Sequence, residues 1–563
     1  MIAISMKLSM NRIQTVLVII FVAITILLVS VCDRKQDQVF RGEDLGFRPN
    51  ILWITCEDMS PHLGCYGDSL AKTPNLDQLA QEGILFTNVY SVSGVCAPSR
   101  AAIITGLYPT SFGAQHMRTL ARTASIDKVT DPEALAIPVY EAVPPPDVKC
   151  FPEYLRAAGY YCTNNHKTDY QFHPPLTVWD ENSSKAHWKN RKPGQPFFAV
   201  FNIEITHESQ IWQRADDPLI TDPKTVPVPP YYPDSPVVRR DLARMYDNIT
   251  LMDQQVGKFL AELGSVGLRD STVIFFYSDH GDGTPRAKRW VYDSGIHVPL
   301  IVRFPGKEGA GKIVDEMISF IDLAPTVLSL AGISIPDYMH GRAFLGNQEG
   351  KEPEFIFAAR DRMDPAIDNM RAVRDKRYKY IRNYLPERPY VQFIPYRDQM
   401  ALMQELFKFE RENKLDDVQK IWFSKTKPEE ELYDLKNDPY EIKNLATDPE
   451  YINILKRMRE AHEQWKIKFD PYSLIPESDL VKLLWPPDGV QPVTEPVQFS
   501  MENNILYLFC DTRGASIAYQ LSSQNNKDRW QLYSSPVDFE KGDTLKAVTI
   551  RIGYKQSPVN TYY

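Results

Sequence analysis

A cysteine followed two residues on by proline and four on by arginine, Cys96-Ala97-Pro98-Ser99-Arg100, stands where an apolar run ending at Tyr90 turns through small residues into Ala101-Ala-Ile-Ile-Thr105. That last stretch reads as helix, with Gly106 able to end it and Pro98 suited to its first turn. Cys96 therefore falls beside a helix N-terminus, which favours an anion and a reactive thiol or its derivative. A buried structural cysteine is the competing reading. Two acid-containing pairs follow apolar, β-branched runs that read as buried strands: Glu57-Asp58 after Asn50 to Cys56, and Asp279-His280 after Ser271 to Ser278. Each pair alone is either a solvated loop or part of a hard-cation site. Two such pairs with Cys96 between them in sequence point to one site, since strand carboxyl ends are where ligands gather in an open sheet. His207 follows a third such run, Pro196 to Ile203. It reads either as a structural histidine or as an acid–base group, its pKa lying close to working pH.

Taken together these stretches resemble the type I sulfatases of the alkaline phosphatase superfamily. The Cys96-x-Pro98-x-Arg100 pentapeptide continues into Thr105-Gly106-Leu107-Tyr108-Pro109, and further likeness lies in His62 to Gly67, in Tyr160 to Asp169, in Asp279-His280-Gly281 and in Lys288 to Val302. The resemblance implies that a maturation enzyme oxidises Cys96 to formylglycine (3-oxoalanine), whose hydrate is the nucleophile. Its second hydroxyl lets the sulfated intermediate collapse and free sulfate, which a serine could not do. One Ca²⁺ would be held by Glu57, Asp58, Cys96 in its converted form, Asp279 and His280, and would act as a Lewis acid. Asp279 would serve as base, Arg100 would orient the diol, and Lys167 and Lys288 would hold sulfate oxygens. His207 would protonate the leaving oxygen. Two positions depart from the family pattern: Glu57 stands where Asp is usual, and Asp169 where His is usual. His116, Arg118, Asp169 and Arg360 are the substrate-binding candidates. The first two stand in a Gly-containing loop after the central motif, and Arg360 in a segment that could reach over the site; ordinary surface residues are the competing reading for all three. Arg286 and Arg289 read as members of a charged loop. The segments Cys56 to His62 and His166 to Tyr170 look like the bacterial heparan N-sulfatase-like branch, which includes enzymes of algal polysaccharides such as ulvan. The expected substrate is a sulfated carbohydrate, as O-sulfate or N-sulfate. Two other readings stand beside it: a phosphodiesterase or phosphonate hydrolase of the same superfamily, and a non-catalytic glycan-binding relative in which Cys96 stays a thiol.

The elements that must position these residues are set by length and pattern. A chain of 563 residues, 43% hydrophobic, has room for more than one domain. The net charge of −8 argues against nonspecific nucleic-acid binding, so an anionic substrate calls for a local basic pocket. Lys7 and Arg12 precede an apolar run from Thr15 to Val31 that ends at Cys32, the layout of an export signal. Leu28 to Cys32 resembles a lipoprotein box, with a signal-anchor helix as the alternative. Either way the body is expected outside the cytoplasm, in the periplasm or at the cell surface, touching membrane only through that anchor. The seven cysteines show neither a disulfide framework nor zinc spacing. The sulfatase resemblance implies an α/β fold, an alkaline-phosphatase-like mixed sheet flanked by helices over 48–350, and a smaller antiparallel sheet with a helix over 351–475. Short alternating strands over 495–563 read as a β-sandwich-like accessory module. Apolar residues from Leu242 to Leu263 at three- and four-residue spacing predict a long scaffold helix.

Overall fold

A computed structural model describes residues 48–121, 126–523 and 529–563; the expected export segment and Cys32 lie outside them. Eight strands form the central sheet: β1 (Asn50–Cys56), β2 (Ile84–Tyr90), β3 (Tyr161–Asn165), β4 (Glu181–Asn182), β5 (Phe197–Ile203), β6 (Thr272–Ser278), β7 (Leu300–Arg303) and β8 (Lys312–Ser319). Their spatial order is β4-β3-β5-β1-β6-β7-β2-β8. All pairings are parallel except those of β7 with β6 and β2, so seven strands run one way and β7 alone runs back.

Burial on both faces explains why the inner strands are continuous apolar runs. On β1, Leu52, Ile54 and Cys56 pack into one core and Ile51 and Trp53 into the other. The same alternation puts Phe197, Ala199 and Phe201 of β5 on the first side and Phe198 and Val200 on the second. The helix Pro236–Ser265 covers the first face with Leu242, Met245, Ile249, Met252 and Val256. Its N-cap, Ser235, accepts the Val238 backbone N–H. The helix Cys96–Thr105 covers the second face through Ala101, Ile103 and Ile104, and ends at Gly106 in the left-handed region (φ 72°).

Four antiparallel strands, Ile356–Arg360, Met370–Arg374, Tyr378–Asn383 and Glu430–Asp434, form a second sheet, with a hairpin turn at Asp375. The helix Ile452–Phe469 packs on it through Leu455, Met458 and Ala461. Beyond Val497 a three-stranded and a four-stranded sheet enclose a core of Leu506, Leu508, Leu521, Leu545 and Ala547. They are tied to the larger body by Lys149 Nζ on the Gly514 carbonyl (2.7 Å) and Ser516 Oγ on Glu153 (2.6 Å). A short helix, Pro132–Ala136, is capped by Asp131. No disulfide joins the described cysteines. Among the described residues no helix is long and apolar enough to cross a membrane.

Candidate active site

The parallel strand direction puts the carboxyl ends of β1, β2, β3, β5 and β6 on one edge of the sheet. The residues singled out by their chemistry lie just past these ends: Glu57-Asp58 after β1, Cys96 after β2, Lys167 after β3, His207 after β5 and Asp279-His280 after β6. Lys288 enters from the loop after β6. Cys96 is the first residue of its helix and is buried, with Sγ 3.5 Å from His280 Nε2. Candidate ligand atoms of Glu57, Asp58, Cys96 and His207 lie within 4.8 Å of one another, and those of Cys96, Asp279 and His280 do likewise.

Backbone constraints hold the acids in place. The Asp58 N–H reaches Asp279 Oδ1 (3.3 Å), and the Asp279 N–H donates to the Cys56 carbonyl (3.1 Å). Ser278 Oγ accepts the Met59 N–H (3.0 Å) and donates to the His280 carbonyl (2.8 Å). Asp58 lies in the left-handed region (φ 52°), an uncommon conformation for a non-glycine residue that recurs at functional sites. Gly283 is packed closely there: a Cβ would come to 3.1 Å from the Asp58 Cβ and the Glu208 Cα, so a larger residue would press on both.

The charges interlock. Arg100 donates through Nε to Asp279 (2.9 Å) and through Nη1 to Asn202 Oδ1 (2.8 Å). Lys167 Nζ is 2.8 Å from Glu57 Oε1, and Lys288 Nζ 2.6 Å from Asp58 Oδ2. His207 turns Nδ1 toward Ser209 Oγ (2.9 Å), leaving Nε2 3.9 Å from Glu57. Burial opposes ionisation of the Cys96 thiol, yet Lys167 and Lys288 outweigh it and bring it down to about 6. Burial likewise disfavours the His280 imidazolium, but Asp279 and Asp58 lift it to about 10. For His207 burial and Lys288 work against the charged ring, and Asp58 with Cys96 prevails, so its pKa is raised.

The donor set fits a divalent cation. Asp58 Oδ1 is buried without a hydrogen bond, although His280 Nε2 lies 3.0 Å away. Nδ1 of His280 donates to the Gly281 carbonyl at 3.0 Å, so the proton that its raised pKa keeps on the ring sits on Nε2 facing Asp58; a cation held by the acids would take that proton's place and leave Nε2 a lone pair. A carboxylate oxygen and an imidazole nitrogen facing each other call for positive charge between them. Three carboxylates and one imidazole suit a hard ion such as Ca²⁺.

Not every expected residue joins this cluster. Arg118 stands partly exposed at its edge, held by Asp364 (2.8 Å), with Tyr396 5.8 Å from its guanidinium. Asp169, half-buried, helps keep Arg118 and Lys167 protonated. His116 does not face Cys96: it is buried against Glu477 (3.6 Å) and lines a separate cavity. Arg360 does not reach over the site. It is fully buried, with its guanidinium 3.9 Å from the Trp290 ring and Nε 3.2 Å from Asp368, because its edge strand ends against the loop of Arg289 and Trp290, where Nη1 donates to the Arg289 carbonyl. The charged-loop reading of Arg286 and Arg289 is also overturned. Arg286 lies between the rings of Tyr231 (4.4 Å) and Tyr292 (4.3 Å). Arg289 makes a bidentate pair with Glu208 (2.9 and 2.6 Å). Sequence reasoning passed over Glu208 altogether. It is buried, sits 3.2 Å from Lys288, and its backbone N–H donates to Asp58 Oδ2 (2.6 Å). An acid directly after His207 was the available signal. Asn202, Asp364 and Tyr396 were also missed; nothing local marks them, since their partners are distant in the chain.

Comparison with known proteins agrees with this arrangement. A family model described as "Sulfatase" matches residues 49–333, and one described as "N-sulphoglucosamine sulphohydrolase, C-terminal" matches 284–420. The chain is 44% identical to an ulvan-active sulfatase of Formosa agariphila across 96% of each protein. It is 26% identical to human N-sulphoglucosamine sulphohydrolase, covering 78% of this chain and 94% of that one. A solved structure of a 2-O GAG sulfatase shares the fold with a TM-score of 0.54 at 22% identity, covering 76% of this chain and 93% of that one. With a strand-end cluster around Cys96 and these likenesses, the chain belongs to the sulfatase family, hydrolases of sulfuric esters.

Proposed function

We propose that this protein, exported and anchored through its N-terminal segment, removes sulfate from a polysaccharide of the ulvan or glycosaminoglycan kind, or from its oligosaccharides. The 44% likeness to an ulvan-active sulfatase along nearly the whole chain supports the algal substrate class. The gathering of Cys96, two lysines, an arginine and a histidine around an acid cluster is the observation that carries the reaction. In this reading Glu57, Asp58, Asp279, His280 and the converted Cys96 hold one Ca²⁺. When bound, the ion lowers the pKa of the hydroxyl that attacks sulfur. Conversion of Cys96 to formylglycine by a maturation enzyme and addition of water to that aldehyde would supply the hydroxyl, and loss of the second hydroxyl's proton would re-form the aldehyde as sulfate leaves.

The chain's other residues do the remaining work. Arg100, fixed by Asp279 and Asn202, orients position 96. Asp279, one carboxylate oxygen of which is engaged by Arg100, takes the attacking proton. Lys167 and Lys288, paired at 2.8 and 2.6 Å with the acids Glu57 and Asp58 that cluster with Cys96, bring two positive charges there to neutralise the sulfuryl oxygens. His207, ring orientation set by Ser209, gives its proton to the departing sugar oxygen. Arg118 and Asp169 contact the saccharide at the edge of the cluster. The sheets beyond Val497 serve as an accessory module packed on the enzyme.

The test is a panel of defined sulfated oligosaccharides assayed for sulfate release, with Cys96→Ala as control, run beside an aryl phosphodiester. Release that survives Cys96→Ala, or faster turnover of the phosphodiester, sinks the proposal. A peptide spanning position 96 with unmodified thiol mass in active enzyme sinks the conversion.

A further inference from the structure

The ion pairs beside the reaction site form one line of alternating charge. Asp58 pairs with Lys288 (2.6 Å), Lys288 with Glu208 (3.2 Å), Glu208 with Arg289 (2.6 Å), Arg289 with Asp364 (3.5 Å) and Asp364 with Arg118 (2.8 Å). From Lys288 to Asp364, each member has an opposite charge on both sides. Arg118, at the outer end, has one only, and Asp364 takes its Nε. Its two Nη groups make no hydrogen bond within the described residues, and its side chain is 42% exposed. Asp169 adds negative charge nearby without pairing with it. A planar fork with its outer N–H groups free has the shape that receives a carboxylate or two sulfate oxygens.

One ring ties this fork to the chemistry. The centroid of Tyr396 lies 5.8 Å from the Arg118 guanidinium carbon and 6.1 Å from the centre of the His207 ring. Trp212, on the short helix Ser209–Gln213 that follows His207, meets the same ring at a right-angled contact of 5.2 Å. Tyr396 belongs to the chain that leaves the strand Tyr378–Asn383 of the second sheet, and that chain is pinned. Tyr390 donates to Glu431 (2.9 Å), Arg397 donates to the Gln392 carbonyl (2.7 Å), and Ile394 and Arg397 are buried on either side. Tyr396 itself is half-buried, and its hydroxyl makes no hydrogen bond within the described residues.

Exposure marks the way in. The side chains of Lys288 and Arg100 are 2% and 7% exposed, those of Lys167 and His207 19% and 16%. A sulfate group therefore enters past Lys167 and His207, and the sugar that carries it remains on the outer side, its bridging oxygen at His207. There the Tyr396 ring is at hand for the C–H face of a sugar, and Arg118 lies beyond it. From this arrangement we infer that Tyr396 and Arg118 are specificity-determining residues, a subsite favouring saccharides with a second anionic group, carboxylate or further sulfate, next to the sulfate removed. The inference rests on the saccharide reading of the catalytic site and on His207 as the acid.

The experiment uses the full chain and three disaccharides sulfated at the position found to be cleaved. One is otherwise neutral, one carries a uronic carboxylate on the adjoining sugar, and one carries a second sulfate there. The better of the two anionic substrates is expected to exceed the neutral one about 10–30-fold in kcat/KM, the worth of a charge-assisted fork, and whichever leads identifies the anion. Arg118→Gln should bring that ratio to within about twofold of one. The ratio is insensitive to any loss of folded enzyme. Tyr396→Ala should raise KM on all three about tenfold with a smaller fall in kcat, and Tyr396→Phe should restore most of the loss, because the ring and not the hydroxyl makes the contact. A wild-type ratio near one, a ratio unmoved by Arg118→Gln, or a Tyr396→Ala effect confined to kcat overturns the inference and leaves the saccharide reading standing. Release from none of the three overturns both.

Discussion

Replacing Glu208 by glutamine keeps the shape of a buried side chain and removes one negative charge from beside the cation cluster. In the native protein Glu208 takes two N–H groups from Arg289 (2.9 and 2.6 Å) and lies 3.2 Å from Lys288. Burial works against its ionisation, but Arg289 and Lys288 prevail and hold its carboxyl at about 2. Set against an ordinary value of 4.5, that ties about 3 kcal/mol of folding free energy to its charge. Removing one partner of a buried pair costs about 3–5 kcal/mol, so the two figures meet at the low end. The introduced amide keeps one acceptor for Arg289, and Arg289 keeps Asp364 at 3.5 Å, so a loss of about 2–3 kcal/mol is expected. A lowered carboxyl pKa gives stability that is complete above the unfolded value of 4.5 and is lost as pH falls through about 2. Glu208→Gln should therefore narrow its deficit against wild type as the medium is acidified between those values. Lys288, left to Asp58 alone at 2.6 Å, would also compete for that carboxylate, lowering cation affinity about 10–100-fold. Denaturant melts at several pH values and a calcium titration of stripped protein measure both effects. A variant that is as stable as wild type at pH 7 and binds calcium equally well refutes the reasoning.

Three further outcomes are expected. Lys167→Ala and Lys288→Ala should each lower kcat/KM for sulfate release by about 10²–10³-fold, read by steady-state kinetics, since each removes a charge beside the developing sulfuryl oxyanion. Chelation should abolish sulfate release and lower the melting temperature. Restoring the ion should recover both, because binding to the folded state alone adds stability by mass action; melting unaltered by chelator would count against the assigned ligands. Arg360→Met should cost about 1–3 kcal/mol in denaturant unfolding by taking one of two cations from buried Asp368, which Lys427 still holds at 2.8 Å, with kcat/KM on substrate essentially held, the reverse of what a substrate contact would give.

The strands and the reactive residues were legible in the sequence because each is a local pattern. Asn50–Cys56, Phe197–Ile203 and Thr272–Ser278 are unbroken apolar runs, buried on both faces, and the chemistry lies within a few residues of where each run stops. The Pro236–Ser265 helix and the helix begun by Cys96 were likewise written in spacing and in their stop residue. Arginines were the weak point. Arg286, Arg289 and Arg360 look alike on paper, each a basic residue with another basic residue within two positions. One lies between two tyrosines, one in a buried ion pair and one beneath a tryptophan, and only packing could say so.

By itself the sequence determined the order of strands along the chain and which side chains stand at their ends. Tertiary structure decided that seven of eight strands run together, so that Glu57, Cys96, Lys167, His207 and Asp279 meet, although Asp58 and Asp279 alone are 221 positions apart. It also decided that His116 and Arg360 do not meet them. The physical reason is that a strand's apolar pattern depends on its own two faces, whereas neighbours and direction depend on pairings between segments far apart. A charged side chain takes its role from whichever opposite charge those pairings bring within reach.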